Sequence, residues 1–298
     1  VHRGSVVGLS ADGSVVVEAG SPAAPMFPRS ANKPLQAAAM VELGLDLDGE
    51  LLALSAASHS GEPFHLDGVR RILATADLDV GALLTPAEEP YDPEAARDWL
   101  LAGHGPEPLA MNCSGKHAAM LVTCVRNGWD PATYLDPDHP LQVGLREAVE
   151  RYAGEPVVAT GVDGCGAPLY ALSLTGLAVA VRGCALAHPG SPRRRVADAM
   201  RAHPEWVGGS RRDVTALMRG VPGLVAKDGA EGVAVAALAD GRAVAVKIDD
   251  GASRARQVVT AQVLRELGVD AAVLDEQVTL PLRGGSRPVG EVRAVPLG

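Results

Sequence analysis

Two valine-rich segments, each folded about an Asp-Gly dipeptide, stand near opposite ends of the chain and most narrowly limit the folds open to it. The first, SVVGLSADGSVVVEAG, turns at Asp12-Gly13; the second, GVAVAALADGRAVAVKIDDG, turns at Asp240-Gly241. Asp-Gly between β-branched runs favours a hairpin, because glycine takes the positive φ that tight turns need. Between them lie segments with helix-like patterning, including Lys33 to Leu43, Leu141 to Tyr152 and Arg194 to Ala202. The pattern predicts an α/β chain in the α+β arrangement, with an antiparallel sheet from both chain ends and a mostly helical middle. After the second hairpin, SRARQVVTAQVLRELG carries apolar residues at helical spacing and stops at Gly268. This helix is expected to cover one face of the sheet.

The chain has 298 residues, nearly half of them apolar and only 3% aromatic, so its core must be built from small aliphatic groups. No repeat or low-complexity linker divides it, and the Pro/Gly clusters around Glu88 to Pro93 and Gly103 to Pro108 read as loops. One domain over residues 1–298 is expected, with room for two lobes. The net charge of -9 argues against capture of nucleic acid or of an anionic membrane, which both need a cationic surface. No apolar run reaches the length that spans a bilayer, and the first residues show neither a charged leader nor an apolar signal core. The cytoplasm is the simplest expected location.

Candidate chemistry begins at Ser30 and Lys33, three residues apart where a helix is expected to start, with Pro34 fitting a first helical turn. A serine hydroxyl attacks a carbonyl at neutral pH only when a base takes its proton, and a lysine serves when burial or nearby cations lower its pKa. A capping serine beside an exposed lysine is the plainer alternative. Two further segments add weight. SAASHSGEPFH brings Ser58, His59 and His65 together, and LVAKDGAEGVAVAAL sets Lys227-Asp228-Gly229 at the start of a strand. A second serine could relay a proton to a leaving group, and a lysine followed by glycine can bring charge and backbone donors close to substrate. In order, these segments resemble the SxxK, middle-serine and K-x-G logic of serine β-lactamases and penicillin-binding proteins. Here the middle motif is not SDN and the third is KDG rather than KTG.

Of the four cysteines, Cys124 and Cys184 lie in apolar runs and read as core residues, all four being too few for a disulfide framework. Cys113 and Cys165 stand among polar and small residues, where Asn112, Lys116, His117 and Asp163 are further candidates. With neither CxxC nor HExxH present, spacing alone leaves metal binding and substrate contact both open.

RSANKPLQ, ASHSGE, MNCSGKHAAML, DGCGAPLYALSL and KDGAEGV together closely resemble the bacterial type II L-asparaginase family of the thermolabile rhizobial kind, across nearly the whole chain. The resemblance implies a serine β-lactamase/glutaminase-like fold and hydrolysis of L-asparagine to L-aspartate and ammonia. Carried over to this chain, it makes Ser30 the nucleophile, Lys33 its base, and Ser58 with Lys227 a second pair. It also implies zinc held by Cys113, Lys116 and Cys165, shaping substrate binding rather than activating water; no organic cofactor; and a homodimer. Arg29 and Asp163 suit the charged ends of the amino acid, with His59, Asn112 and His117 as further substrate contacts. A glutaminase or broader ω-amidase is the nearest alternative, because one methylene is worth only about 1 to 3 kcal/mol of discrimination. A non-catalytic amino-acid sensor is the alternative from another class.

Overall fold

The computed structural model describes residues 1–295. Its strands are β1 (Gly4–Leu9), β2 (Val15–Ala19), β3 (Pro25–Met26), β4 (Ala159–Val162), β5 (Pro168–Ser173), β6 (Val225–Gly229), β7 (Val233–Ala237), β8 (Ala243–Ile248), β9 (Thr279–Gly284) and β10 (Arg287–Arg293). The helices before β6 are α1 (Lys33–Glu42), α2 (Gly49–Ser55), α3 (Pro63–Ala74), α4 (Pro93–Leu101), α5 (Ser114–Asn127), α6 (Pro140–Ala153), α7 (Leu174–Leu186), α8 (Pro192–Ala202), α9 (Pro204–Val207) and α10 (Asp213–Gly220). Helices α11 (Ser253–Glu266) and α12 (Ala272–Gln277) follow β8.

Both Asp-Gly segments are hairpins, and they join through their inner strands. Val6 of β1 lies opposite Ala19 of β2 on one side and Val246 of β8 on the other. The resulting antiparallel sheet has the order β2-β1-β8-β7-β6, so it is made entirely from residues near the two ends of the chain. All five residues of β7 are buried, which requires both faces of the sheet centre to be covered, since successive side chains point opposite ways. Helices α7 and α11 pack against these strands. The core is correspondingly aliphatic, with Val, Leu and Ala from sheet and helices forming one continuous cluster.

Two features lie outside the sequence expectation. A small sheet of order β3-β5-β4 sits in the helical middle, and a separate β9–β10 hairpin follows α12. The β5 sequence PLYALS is buried at every position and has no alternation, so periodicity could not distinguish it from a buried helical segment. Among the described residues, no helix is long and apolar enough to cross a membrane.

Sheet order positions the chemistry. β6 is an edge strand, and its last residue packs on the turn before α1: a Cβ on Gly229 would stand 2.7 Å from the Pro28 carbonyl oxygen. Only glycine lets the two backbones approach this closely.

Candidate active site

Residues Arg29–Asn32 form one tight 3-10 turn that runs into α1, with Pro34 in the first helical turn where its missing N–H costs nothing. This turn, β6 and the loops before α3 and α5 enclose a cleft of about 750 Å³ lined in part by Arg29, Ser30, Ser58, Asn112, Cys113 and Asp163. Cys165 and the 228–232 segment line it too. These sequence candidates therefore share one cleft, whereas Lys33, His59, Lys116, His117 and Lys227 do not line it, and the side chains pair differently from expectation.

Lys33 is almost completely buried, and its amine donates to the Ala57 carbonyl at 2.6 Å, to the Ser58 hydroxyl at 3.0 Å and to the Cys113 sulfur at 3.0 Å. It makes no hydrogen bond to Ser30 among the described residues. Lys227 is also fully buried, but its amine donates to the Asp228 carbonyl at 2.6 Å and carboxylate at 2.8 Å rather than to Ser58. Burial is the main cause pushing the Lys227 amine down to about 8; Asp228 opposes that shift and nearby Lys33 adds to it. Burial would raise the Asp228 carboxyl, yet Lys227, Arg212 and Arg256 together hold it well below the usual carboxylate range. Arg212 pairs directly with Asp228, and Arg256 pairs with Asp213 at 2.9 Å. This charge network in the cleft wall, backed by buried Lys227, was not anticipated, although Asp228 is adjacent to the lysine of the KDG segment.

Cys113 and Cys165 form a small buried cluster with Met111 and Ala167. The Lys116 amine donates to the Cys165 sulfur at 3.3 Å, and Cys113 donates to the Asn112 side-chain oxygen at 3.0 Å. Cys165 is the thiol held toward the thiolate, by its contact with Cys113 and by Lys116 and His117; Cys113 is pushed the other way by Cys165 and by burial. Cys124 and Cys184 are buried core residues, each with a thiol pushed up to about 12 by desolvation.

The histidines divide differently. His59 is fully buried outside the cleft lining, with its ring nitrogens on Ser114 Oγ at 2.8 Å and the Gly61 N–H at 3.1 Å, so it ties the serine-rich loop to α5. His65 completes a capping box with Glu62 at the start of α3. His117 places Nδ1 2.7 Å from the Tyr134 hydroxyl, while its buried Nε2 has no hydrogen-bond partner among the described residues.

Arg29 spans the mouth of the cleft. Its Nε donates to Asp163 Oδ1 at 2.7 Å and its Nη1 to Glu231 Oε1 at 2.7 Å, so the expected Arg29 and Asp163 are joined by a third residue that sequence reasoning missed. No spacing rule links residues 29, 163 and 231.

The L-asparaginase II family matches residues 1–294. The chain belongs to that family. No curated protein matches the chain. Among solved structures it is similar to Mglu in its native form, with 19% identity over 89% of this chain and 63% of that one and a TM-score of 0.47. It is also similar to Mglu in its tris and glutamate form, with 16% identity, 89% and 59% coverage, and a TM-score of 0.47. This family member thus spans less than two thirds of the length of those chains. Among its described residues, no group of three His, Cys, Asp or Glu side chains could hold a metal ion; the expected set counts a lysine in their place.

Proposed function

We propose that the protein is an amidohydrolase of β-lactamase-like fold that converts L-asparagine to L-aspartate and ammonia through a serine acyl-enzyme. The observation that supports this most strongly is that Ser30 and Ser58 line one cleft, with the buried Lys33 amine 3.0 Å from the Ser58 hydroxyl. Ser30 Oγ attacks the side-chain amide carbon, and its proton passes through Ser58 to Lys33 acting as a neutral amine, which accepts from the Ser58 hydroxyl in this step instead of donating to it. Main-chain N–H groups beside Ser30 stabilise the oxyanion. The Lys33–Ser58 bond then returns a proton to the amide nitrogen, the C–N bond breaks and ammonia leaves. Water attacks the ester carbon as its proton passes through Ser58 to Lys33, the C–O bond to Ser30 breaks, and that proton returns to Ser30 Oγ as aspartate is released.

The same 3.0 Å contact supports a second reading, in which Ser58 is the nucleophile and Lys33 its direct base. Mass spectrometry of acid-quenched turnover distinguishes the two by the serine that carries the acyl group.

Two thiols and an amine form a donor set suited to a thiophilic divalent ion, and the unpartnered Nε2 of buried His117 lies beside it. We include zinc at Cys113, Lys116 and Cys165 in the proposal. When bound it would supply a fixed positive charge that orients the substrate. Lys116 must lose a proton to serve as a ligand.

Ammonia release from L-asparagine and L-glutamine, measured beside Ser30→Ala, tests the whole reading. Asparagine-selective release lost in the variant supports it; glutamine preference favours the broader ω-amidase, and binding without turnover favours a sensor.

A further inference from the structure

Arg29 and Glu231 share an unusual backbone state and one ion pair. Their φ angles are +49° and +59°, two of the three positive values at non-glycine residues among the described residues. A side chain in this region is disfavoured, and such positions concentrate at functional sites. Glu231 occupies the short β6–β7 turn beside Gly232, yet a glycine would adopt its conformation freely. Its main chain is fixed all the same, because Lys247 Nζ donates to the Glu231 carbonyl at 2.5 Å.

The two carboxylates on Arg29 are not equivalent. Asp163 is the inner one, 9% exposed at its side chain, and Oδ1 already accepts from Arg29 Nε and from the Gly164 N–H. Glu231 is the outer one, 61% exposed and held by a single contact to Nη1. An ion pair that open contributes little to stability, so it does not explain a strained glutamate. Of the other acids lining the cleft, Asp213 is committed to Arg256 and Asp228 to Lys227 and Arg212, while Glu88 makes no ion pair with Arg29.

We propose that Glu231 is the specificity-determining residue that accepts the substrate's α-ammonium while Arg29 takes the α-carboxylate, restricting the cleft to α-amino acids. An α-amino acid carries its two charges on one carbon, and Arg29 with Glu231 presents the opposite charges side by side, adjoining Ser30 in the chain. Asp163 positions Arg29 from behind. The inference rests on the amidase reading and names a residue that this reading does not require.

The test pairs each amino acid with its des-amino counterpart. Binding of L-aspartate and succinate is measured by calorimetry, and hydrolysis of L-asparagine and succinamate by ammonia release, for wild type, Glu231→Gln and Glu231→Gly. Glu231→Gly relieves the backbone strain, so it should melt no lower than wild type. Both variants should lose about tenfold or more in L-aspartate affinity and in KM for L-asparagine, with succinate and succinamate changed less than about twofold. Equal losses for both members of a pair would make Glu231 a mere support for Arg29 and overturn the proposal, as would no loss for either. If wild type binds and hydrolyses none of the four, the amidase reading itself fails and the inference falls with it.

Discussion

Lys33 Nζ lies 3.0 Å from the Ser58 hydroxyl, so the lysine one turn beyond Ser30 is bonded to a serine 25 residues further along the chain. Both serines line the cleft, Ser30 half-buried and Ser58 8% exposed, and Ser58 is the one that touches the amine. Ser30→Ala should lower kcat for asparagine by at least about 10⁴-fold with an unchanged melting temperature. Ser58→Ala should cost about 10²- to 10⁴-fold, the range of a lost proton relay. An acyl group recovered on Ser58 in the Ser30→Ala protein would reverse the two roles.

Gly229 is the point where β6 meets the Ser30 turn. A methyl group there would meet the Pro28 oxygen at 2.7 Å and the Ala31 nitrogen at 3.1 Å, both backbone atoms that cannot swing aside. Gly229→Ala should destabilise by about 1 to 3 kcal/mol, as overpacking does, and should lower kcat much more than it raises KM. Steady-state kinetics beside a thermal melt would show whether the displacement reaches the nucleophile.

Lys227, held down to about 8 by burial, is cationic below that pH and neutral above it. If its charge supports the Lys33–Ser58 relay, kcat/KM for asparagine should decline as pH rises through about 8. Lys227→Met should remove that limb and leave a lower, flatter profile. A pH–rate series on both proteins checks it.

His65 is pushed down to about 4, chiefly by burial and against its contacts with Glu205 and Glu62. The folded chain keeps this imidazole neutral at pH values where the unfolded chain protonates it, near 6.5 and below. The stabilisation is therefore complete above pH 6.5 and is lost as pH falls toward 4, a change on the order of 3 kcal/mol at about 1.4 kcal/mol per pKa unit. His59 and His117 are shifted in the same direction, again first by burial. Urea unfolding at pH 7 and pH 4.5 should show the difference, and His65→Gln should reduce it.

Protein purified without chelator should carry zinc in proportion to chain, measured by mass spectrometry of the metal. Cys113→Ser and Cys165→Ser should each reduce that content and lower the thermal shift produced by added zinc. Full zinc content in both variants would remove these thiols as ligands.

The sequence by itself determined the sheet and the helices around it, because these features rest on local chemistry. Asp-Gly turns between valine runs fix the two hairpins, Pro34 fixes the start of α1, and Gly268 follows the end of α11. Of the residues it singled out, Ser30, Ser58, Cys113, Asp163 and Cys165 line the cleft, while Lys33, His59, Lys116, His117 and Lys227 do not. Side-chain partnership was decided only in three dimensions. Lys33 could be seen next to Ser30 in sequence, yet its long stem carries the amine into a buried gap that only the packing of α1 against the 57–58 loop creates, where three acceptors outcompete the nearer hydroxyl. Lys227 is likewise claimed by its neighbour Asp228, and His59 by Ser114, because buried polar groups take whatever partner the fold brings within reach. Glu231 had no sequence signal at all. Its role depends on a strained turn meeting Arg29 across 202 residues of chain, and no local pattern encodes a contact of that range.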